Sequence, residues 1–424
     1  MTPDTEKTSI HIDRRVLIGF MAVMFVMNAV LLFIPWNEIM TGKNDFPVFY
    51  SNATMVREGH AAGLYDFDAE NDFVRRVSDV SRPPNNHLPY ELLLFVPLTY
   101  LPFGMAYVLW TILGLAMLGG TAVLMRDFCP GPSGLPLGFL TVLGFFPVWY
   151  CLLQGQDSIL LLFVFALSFW LWRRGNGDAA GFVIALGLFR PQLVVPFVLV
   201  MLIAGEWKFI RGFVPGAVLV TLLSVWVVGL SGMVDYAHVL MSQGTQQSAK
   251  VLSERWTVRP GLMATWRGFL WVCLPMGVPT RLRGLLLLVG TFTGLTYAAT
   301  RMRNAKDTAA FNVAFAITVS TILLVSFHSF LNDFSLMVLP LLVYAPVIVN
   351  SGPVPKTKAY SMVTLGFLFY LTPLYLLLLS TDSVGWFFLV EVRALWLASH
   401  WRTAVGVGSQ NSMATTRAIS LDVT

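Results

Sequence analysis

Arg14-Arg15-Val16-Leu17-Ile18-Gly19-Phe20-Met21-Ala22-Val23-Met24-Phe25-Val26-Met27-Asn28-Ala29-Val30-Leu31-Leu32-Phe33-Ile34-Pro35-Trp36 decides the fold class. The apolar run from Val16 to Trp36 approaches the roughly 20 residues that cross a bilayer as a helix. It follows two arginines, as the apolar part of a secretory signal does. It is too long for that part and lacks a small-residue cleavage pattern, so it reads as a retained membrane helix.

The rest of the chain agrees. Of 424 residues, 56% are hydrophobic and only 12% charged, and the mean hydropathy is +0.69. Soluble domains are about a quarter charged. The chain therefore reads as an all-α polytopic membrane protein, with one integral domain over residues 1–405 and a disordered cytoplasmic tail over 406–424. The net charge of +5 is not a nucleic-acid footprint, because Lys and Arg cluster in short loops where they set topology. Cys129, Cys151 and Cys273 show no metal or redox spacing, so neither a disulfide framework nor a zinc site is expected.

Spans are expected at 16–36, 103–125, 137–153, 157–173, 179–190, 192–204, 213–230, 284–300, 308–326, 334–350, 359–380 and 384–401. That is about 12 crossings. The stretches 89–101 and 262–276 are short or Pro-interrupted and read as re-entrant or interfacial. With the N-terminus in the cytoplasm, Arg173-Arg174, Lys208 with Arg211, Arg301 to Lys306, and Lys356 with Lys358 all fall inside. Counting 89–101 as a crossing would throw Arg173-Arg174 outside. Residues 179–190 and 192–204, separated by Arg190-Pro191-Gln192, suit a hairpin of short helices, and a single Pro-kinked helix is the alternative. Two outer loops remain. Residues 37–88 contain helical patterns at Pro47–Gly59 and Phe67–Val80, expected along the membrane surface. Residues 231–261 carry Lys250, Arg255 and Arg259.

This topology brings the unusual polar residues to one face: Asp45, His87 with Glu91, Gln154-Gly155-Gln156-Asp157, Arg190-Pro191-Gln192, and His328 to Asp333. Plainer roles exist for several of them. Asp45 could cap the helix starting near Pro47, and Asp157 the helix after it. His328 could bond to backbone. Arg259 could be a solvated loop charge, as could Arg255. Arg190 is harder to dismiss, because a buried guanidinium needs an anionic partner, either Asp157 or a ligand phosphate. The Asn52-Ala53-Thr54 sequon carries little weight.

Together these groups fit one reaction. Transfer from a lipid-linked sugar phosphate needs an apolar groove, cations for the phosphate and a base for the acceptor hydroxyl. Asp45 is the available base. Arg190, Arg259 and His328 are the available cations or donors. Cationic side chains can balance the phosphate without a divalent metal, and no clustered carboxylates suited to a metal are apparent.

At these residues the chain resembles the GT87 (DUF2029) membrane glycosyltransferases. Asp45-Phe46-Pro47-Val48-Phe49-Tyr50 followed by Gly63-Leu64-Tyr65-Asp66 resembles their opening, and so does Leu88-Pro89-Tyr90 leading to Pro97-Leu98 and Leu101-Pro102. Gly155-Gln156 before an apolar helix, Ala180-Gly181 and the basic-Pro-Gln triplet at Arg190 resemble the middle, where members often have Lys for Arg190. His328-Ser329, Asp333 and Leu339-Pro340 resemble the late motif. The resemblance runs over about residues 16–350. It implies a GT-C fold, a polyprenyl-phosphate sugar donor such as polyprenyl-phosphate mannose, and inversion at the anomeric carbon. It also implies catalytic roles at Asp45 and His328. Substrate contacts are expected from Arg190, Arg259, Gln156, Gln192, Tyr50, His87 and Asp333, with neither metal nor cofactor. The expected partners are the donor, a glycolipid, glycan or protein acceptor, and the bilayer of the inner membrane, with the site extracytoplasmic. The competing reading is a transporter or flippase for a lipid-linked sugar, whose mark would be paired repeats with broken helices. A membrane scaffold would leave the one-sided polar cluster unexplained.

Overall fold

The computed structural model describes residues 7–8, 14–80, 85–128, 134–244, 259–275, 277–349 and 354–399. The tail 406–424, Cys129, Lys250 and Arg255 lie outside them. Apart from a two-residue antiparallel pairing of Lys7–Thr8 with Val354–Pro355, the described chain is helical.

Five helices build the first part: α1 (Arg14–Phe33), α2 (Trp36–Met40), α3 (Phe46–Arg57), α4 (Phe67–Val74) and the single turn α5 (Leu92–Phe95). Then follow α6 (Phe103–Leu124), α7 (Gly134–Leu143), α8 (Phe146–Gln154), α9 (Ser158–Arg173), α10 (Gly177–Ala185), α11 (Pro191–Ala204) and α12 (Trp207–Gly244). The last part holds α13 (Trp266–Cys273), α14 (Thr280–Arg303), α15 (Thr308–Val325), α16 (Val338–Val349), α17 (Lys356–Tyr370), α18 (Thr372–Ser380) and α19 (Phe387–Ser399).

Among the described residues four helices are long and apolar enough to cross a membrane: α6, α12 over Trp207–Met241, α14 and α15. Counting α17 and α18, bent by 63° at their junction, as one broken span makes five. The exposed faces of these helices are apolar. Leu109, Ile112, Leu113, Val218, Leu222, Trp226, Leu285, Leu288 and Phe292 all face outward. In water such a surface would drive association. In lipid it costs nothing, because the surrounding chains are as apolar as leucine. The protein is a polytopic helical membrane protein.

Several expected spans break into pieces. Residues 137–153 form two helices, α7 and α8, because the chain turns at Gly144 and Pro147 starts the next helix. Residues 334–350 begin as a 3-10 turn, Asp333–Met337, before α16. Residues 179–204 divide into α10 and α11 at Arg190-Pro191. The stretch 89–101 is α5 between two 3-10 turns, and 262–276 centres on the eight-residue α13, so neither forms a helix long enough to cross.

Two expectations for the loops are corrected. Residues 231–244, read as loop, continue α12 beyond a break at Gly229, whose φ of +73° suits glycine. The helix α3 is enclosed, not laid along a surface. Phe46, Phe49, Ala53 and Met55 are buried, and so are Ser51, Asn52 and Thr54 on its polar side. The Phe46 ring meets Phe95, Phe103 and Tyr107, which ties α3 to α5 and α6.

A continuous hydrophobic core runs from α3 through α9 and α11 to α15. Phe169 stacks on Phe315 at 4.2 Å, and Phe165 meets Phe197 edge-on at 5.1 Å. This core fixes the helix ends from which the polar site is built.

Candidate functional site

The site forms where short elements begin. Asp45 precedes α3, His87 and Glu91 precede α5, Asp157 precedes α9, Arg190 precedes α11, and Asp333 opens the turn before α16. Carboxylates at such starts gain from the partial positive charge of the helix N-terminus.

The turn between α8 and α9 is central. Gly155 ends α8 in the left-handed conformation, φ +65°. Its N–H donates to Leu152 O, and the Gln156 N–H donates to Cys151 O, a pattern that satisfies the last carbonyls of a helix. A Cβ on Gly155 would lie 2.6 Å from the Cβ of Phe46, so glycine is required here twice over. The turn points Gln156 and Asp157 toward Arg190.

Arg190 is 4% exposed. Its Nε donates to Asp157 at 3.0 and 3.2 Å, and its Nη2 donates to Asp157 and, at 2.6 Å, to Gln156 Oε1. Its Nη1 lies 3.4 Å from Asp333 Oδ1. The anionic partner that a buried guanidinium demands is therefore a pair of protein carboxylates. Asp157 makes no capping bond with its side chain. Its plainer role as a cap gives way to the ion pair.

His87 Nδ1 lies 2.7 Å from Glu91 Oε2 and 3.3 Å from Asp157 Oδ2. Tyr65 donates its hydroxyl to His87 O, and Phe49 packs edge-on against the ring. On the other flank Asp333 accepts from Ser158 Oγ at 2.8 Å, and Asn332 donates to the same hydroxyl. Burial would push the Asp157 carboxyl up, but Arg190 and His87 more than reverse this and hold it well below the usual range. Burial depresses His87, and Glu91 with Asp157 lift it to about 9. Burial and the neighbouring Asp157 raise Glu91 above the usual carboxylate range, against the pull of His87.

The fold thus assembles a carboxylate cluster that the sequence did not disclose. His87, Glu91 and Asp157 each offer a ligand atom, all within 4.8 Å of one another, and could hold a metal ion. Among the described residues, Glu91 Oε1 has no hydrogen-bond partner. Asp157 already pairs with Arg190, and a cation entering there would have to displace the His87 proton.

Asp45 stands at the edge of this network, half-buried. It occupies the N-cap position of α3 yet makes no side-chain capping bond. Its Oδ2 accepts from Gln156 Nε2 at 2.8 Å. Asp45, Gln156, Arg190, Asp157, His87 and Glu91 therefore form one connected chain.

His328 lies just beyond α15, 9% exposed, and its Nδ1 has no hydrogen-bond partner among the described residues. Burial first, then the charges of Arg267, Arg190 and His87, push its pKa down to about 3. It is a neutral hydrogen-bonding group, not a cation. Arg267, on α13, donates to the neighbouring Phe327 O at 2.7 Å. Sequence reasoning missed Arg267. Its signal was a single cation in the apolar segment Trp266-Arg267-Gly268-Phe269-Leu270-Trp271.

Not every expected residue joins. Arg259 is exposed and sits 3.5 Å from Asp382 at the surface, outside the network. Tyr50 spends its hydroxyl on Leu101 O at 2.8 Å, anchoring α3. Gln192 is buried on the first turn of α11, beside Arg190 in the chain, and is not one of the linked groups. Asn52 is 1% exposed, which closes the sequon to modification in the folded protein.

This buried acid–base cluster, with the Asp45 carboxylate at its edge, lies among the helices of a membrane protein. The model of glycosyltransferase family 87 matches residues 89–326, more than half of the chain. The chain belongs to that family and is a membrane glycosyltransferase. The matched stretch contains Glu91, Gln156, Asp157, Arg190 and Arg267. Asp45 and His87 precede it, and His328 and Asp333 follow it. No curated protein and no solved structure matches the chain. Family membership sets the transporter reading aside.

Proposed function

We propose that this protein is a GT-C-type hexosyltransferase of the inner membrane. It moves a sugar, mannose as the first candidate, from a polyprenyl phosphate to a hydroxyl of a glycolipid, glycan or protein acceptor. Transfer occurs on the extracytoplasmic side with inversion. The observation that carries the proposal is Asp45: a half-buried carboxylate that forgoes its capping bond and is held instead by the buried network.

In this reading Asp45 takes the proton of the acceptor hydroxyl as its oxygen attacks the anomeric carbon from the face opposite the phosphate. The bond from that carbon to the phosphate oxygen breaks, and polyprenyl phosphate leaves with the electron pair. Arg267 and the unpartnered Nδ1 of neutral His328 are suited to the developing phosphate charge. Arg190 is held by Asp157, Asp333 and Gln156, so its contribution to donor binding comes through the groups it holds.

The test is transfer from a radiolabelled polyprenyl-phosphate sugar by the purified protein in lipid. General bases contribute about 10²–10⁴-fold in rate. Asp45→Asn should lose turnover on that scale and keep donor binding. Asparagine caps helices as well as aspartate does, so near-parental transfer by Asp45→Asn would leave Asp45 a structural residue and remove the base from the proposal.

A further inference from the structure

We infer that Gln156 is a positioning residue that aims the Asp45 carboxylate, with its own amide set by Arg190. The inference rests on the reading of Asp45 as the base.

An isolated glutamine amide can be turned either way, because its oxygen and nitrogen are nearly the same size. Here the two neighbours remove that freedom. Arg190 has only donors and approaches one end of the amide at 2.6 Å, so that end must be Oε1. The Asp45 carboxylate approaches the other end at 2.8 Å, so that end must be the amide nitrogen. Arg190 cannot yield, since it is pinned by Asp157 and Asp333, both 0% exposed. The orientation of Asp45 is thus inherited from a buried ion pair.

The backbone supports the same geometry. Asp45 N donates to Gln154 O at 3.1 Å, and Asn44 Nδ2 donates to Leu153 O at 3.1 Å. The loop carrying the base is fastened to the end of α8, from which Gln156 reaches it. An unrestrained carboxylate on such a loop would sample several rotamers. Misplacement of a reacting group by about 1 Å can cost 10²-fold in rate.

The experiment uses the full-length protein in lipid and two substitutions. Gln156→Glu keeps the acceptor for Arg190 but replaces the donor facing Asp45 with an oxygen. Gln156→Met keeps the volume and removes both bonds. Each should lower kcat by about 10–100-fold with KM for the donor unchanged. Placed in the Asp45→Asn background, each should add nothing, because the residue it acts through is already disabled. A parental kcat in both variants, a raised KM with kcat intact, or an undiminished loss in the Asp45→Asn background would overturn the positioning role. Failure of the base itself would show separately, as full turnover by Asp45→Asn alone. If Gln156→Glu does not fold, Gln156→Met decides by the same split of kcat from KM.

Discussion

Arg190 and Asp157, 33 positions apart in the chain, form a buried ion pair with Nε 3.0 Å from Oδ1 and both side chains almost fully enclosed. Removing one partner of such a pair leaves an uncompensated charge and costs about 3–5 kcal/mol. Arg190→Ala strands Asp157 and Asp333 together, so it should destabilise the protein by that order and weaken donor binding. Arg190→Lys keeps the charge but loses the planar fork that serves Asp157 and Gln156 at once. Its loss should be smaller in both measurements. Thermal unfolding in detergent and binding of a polyprenyl phosphate analogue provide the two readouts. Parental stability in Arg190→Ala would show that the pair does not hold the site.

The second prediction concerns metal. Arg190 and His87 already face the carboxylates of Asp157 and Glu91. Sugar transfer should therefore survive treatment with a strong chelator. Loss of activity on chelation, restored by Mg²⁺ or Mn²⁺ and abolished in Glu91→Gln, would assign His87, Glu91 and Asp157 to a metal instead.

How far the sequence reaches is clear from particular residues. The helices α6, α14 and α15 are single uninterrupted apolar runs, and their limits agree with the reading of composition to within a few residues. Asp45, Gln156, Asp157, Arg190 and Asp333 are legible as polar residues where apolar runs begin or end. For Arg190 the sequence offers Asp157 or a ligand phosphate as partner, and the choice of Asp157 is made by the packing of α9 against α10 and α6. Breaks at Gly144 and at Thr372-Pro373 are also hidden, since the flanking pieces are equally apolar and hydropathy averages across them. The helix α3 misleads for another reason. Ser51, Asn52 and Thr54 look like a face meant for water, yet the fold encloses them.

Arg267 provides a third prediction. Its guanidinium is fixed on the carbonyl of Phe327, next to His328. Hydrogen bonds to charged groups are worth about 1.5–3 kcal/mol. Arg267→Ala should therefore raise KM for the donor by about 10–100-fold. Arg259→Ala, at the exposed contact with Asp382, should change it little. Equal effects of the two substitutions on KM would count against a phosphate site at Arg267.

The fourth prediction is topological. Asp157 opens α9 and Arg173 closes it, so the site and the basic end lie about 24 Å apart along one helix. Residues 37–88 should face the outside, and Arg173-Arg174, Arg301 to Lys306 and Lys356 to Lys358 the cytoplasm. Single cysteines at Asp68 and Asn304, in a background without Cys129, Cys151 and Cys273, can be labelled with an impermeant thiol reagent. Asp68 is exposed on the first turn of α4. Labelling of both positions from the same side would overturn the map.

The last prediction joins backbone to chemistry at Gly155. Its φ of +65° disfavours any side chain, and a Cβ there would meet Phe46 at 2.6 Å. Left-handed backbone alone costs a non-glycine residue about 1–2 kcal/mol. The contact with Phe46 adds to this, because the 2.6 Å neighbour is its Cβ, held in place by a ring that is 0% exposed and wedged among Phe95, Phe103 and Tyr107. Relief requires the turn to move away from α3, and Gln156 moves with it, away from Asp45. Gly155→Ala should therefore lower both the unfolding temperature and kcat. The Phe46→Gly substitution, which removes the Cβ that meets the turn, should recover part of the kcat lost by Gly155→Ala even though it removes aromatic packing of its own. Stability and turnover measured on the two single variants and the double variant decide it. A double variant whose losses in kcat simply add would mean that Gly155 and Phe46 act independently, and that their contact does not set the position of Gln156.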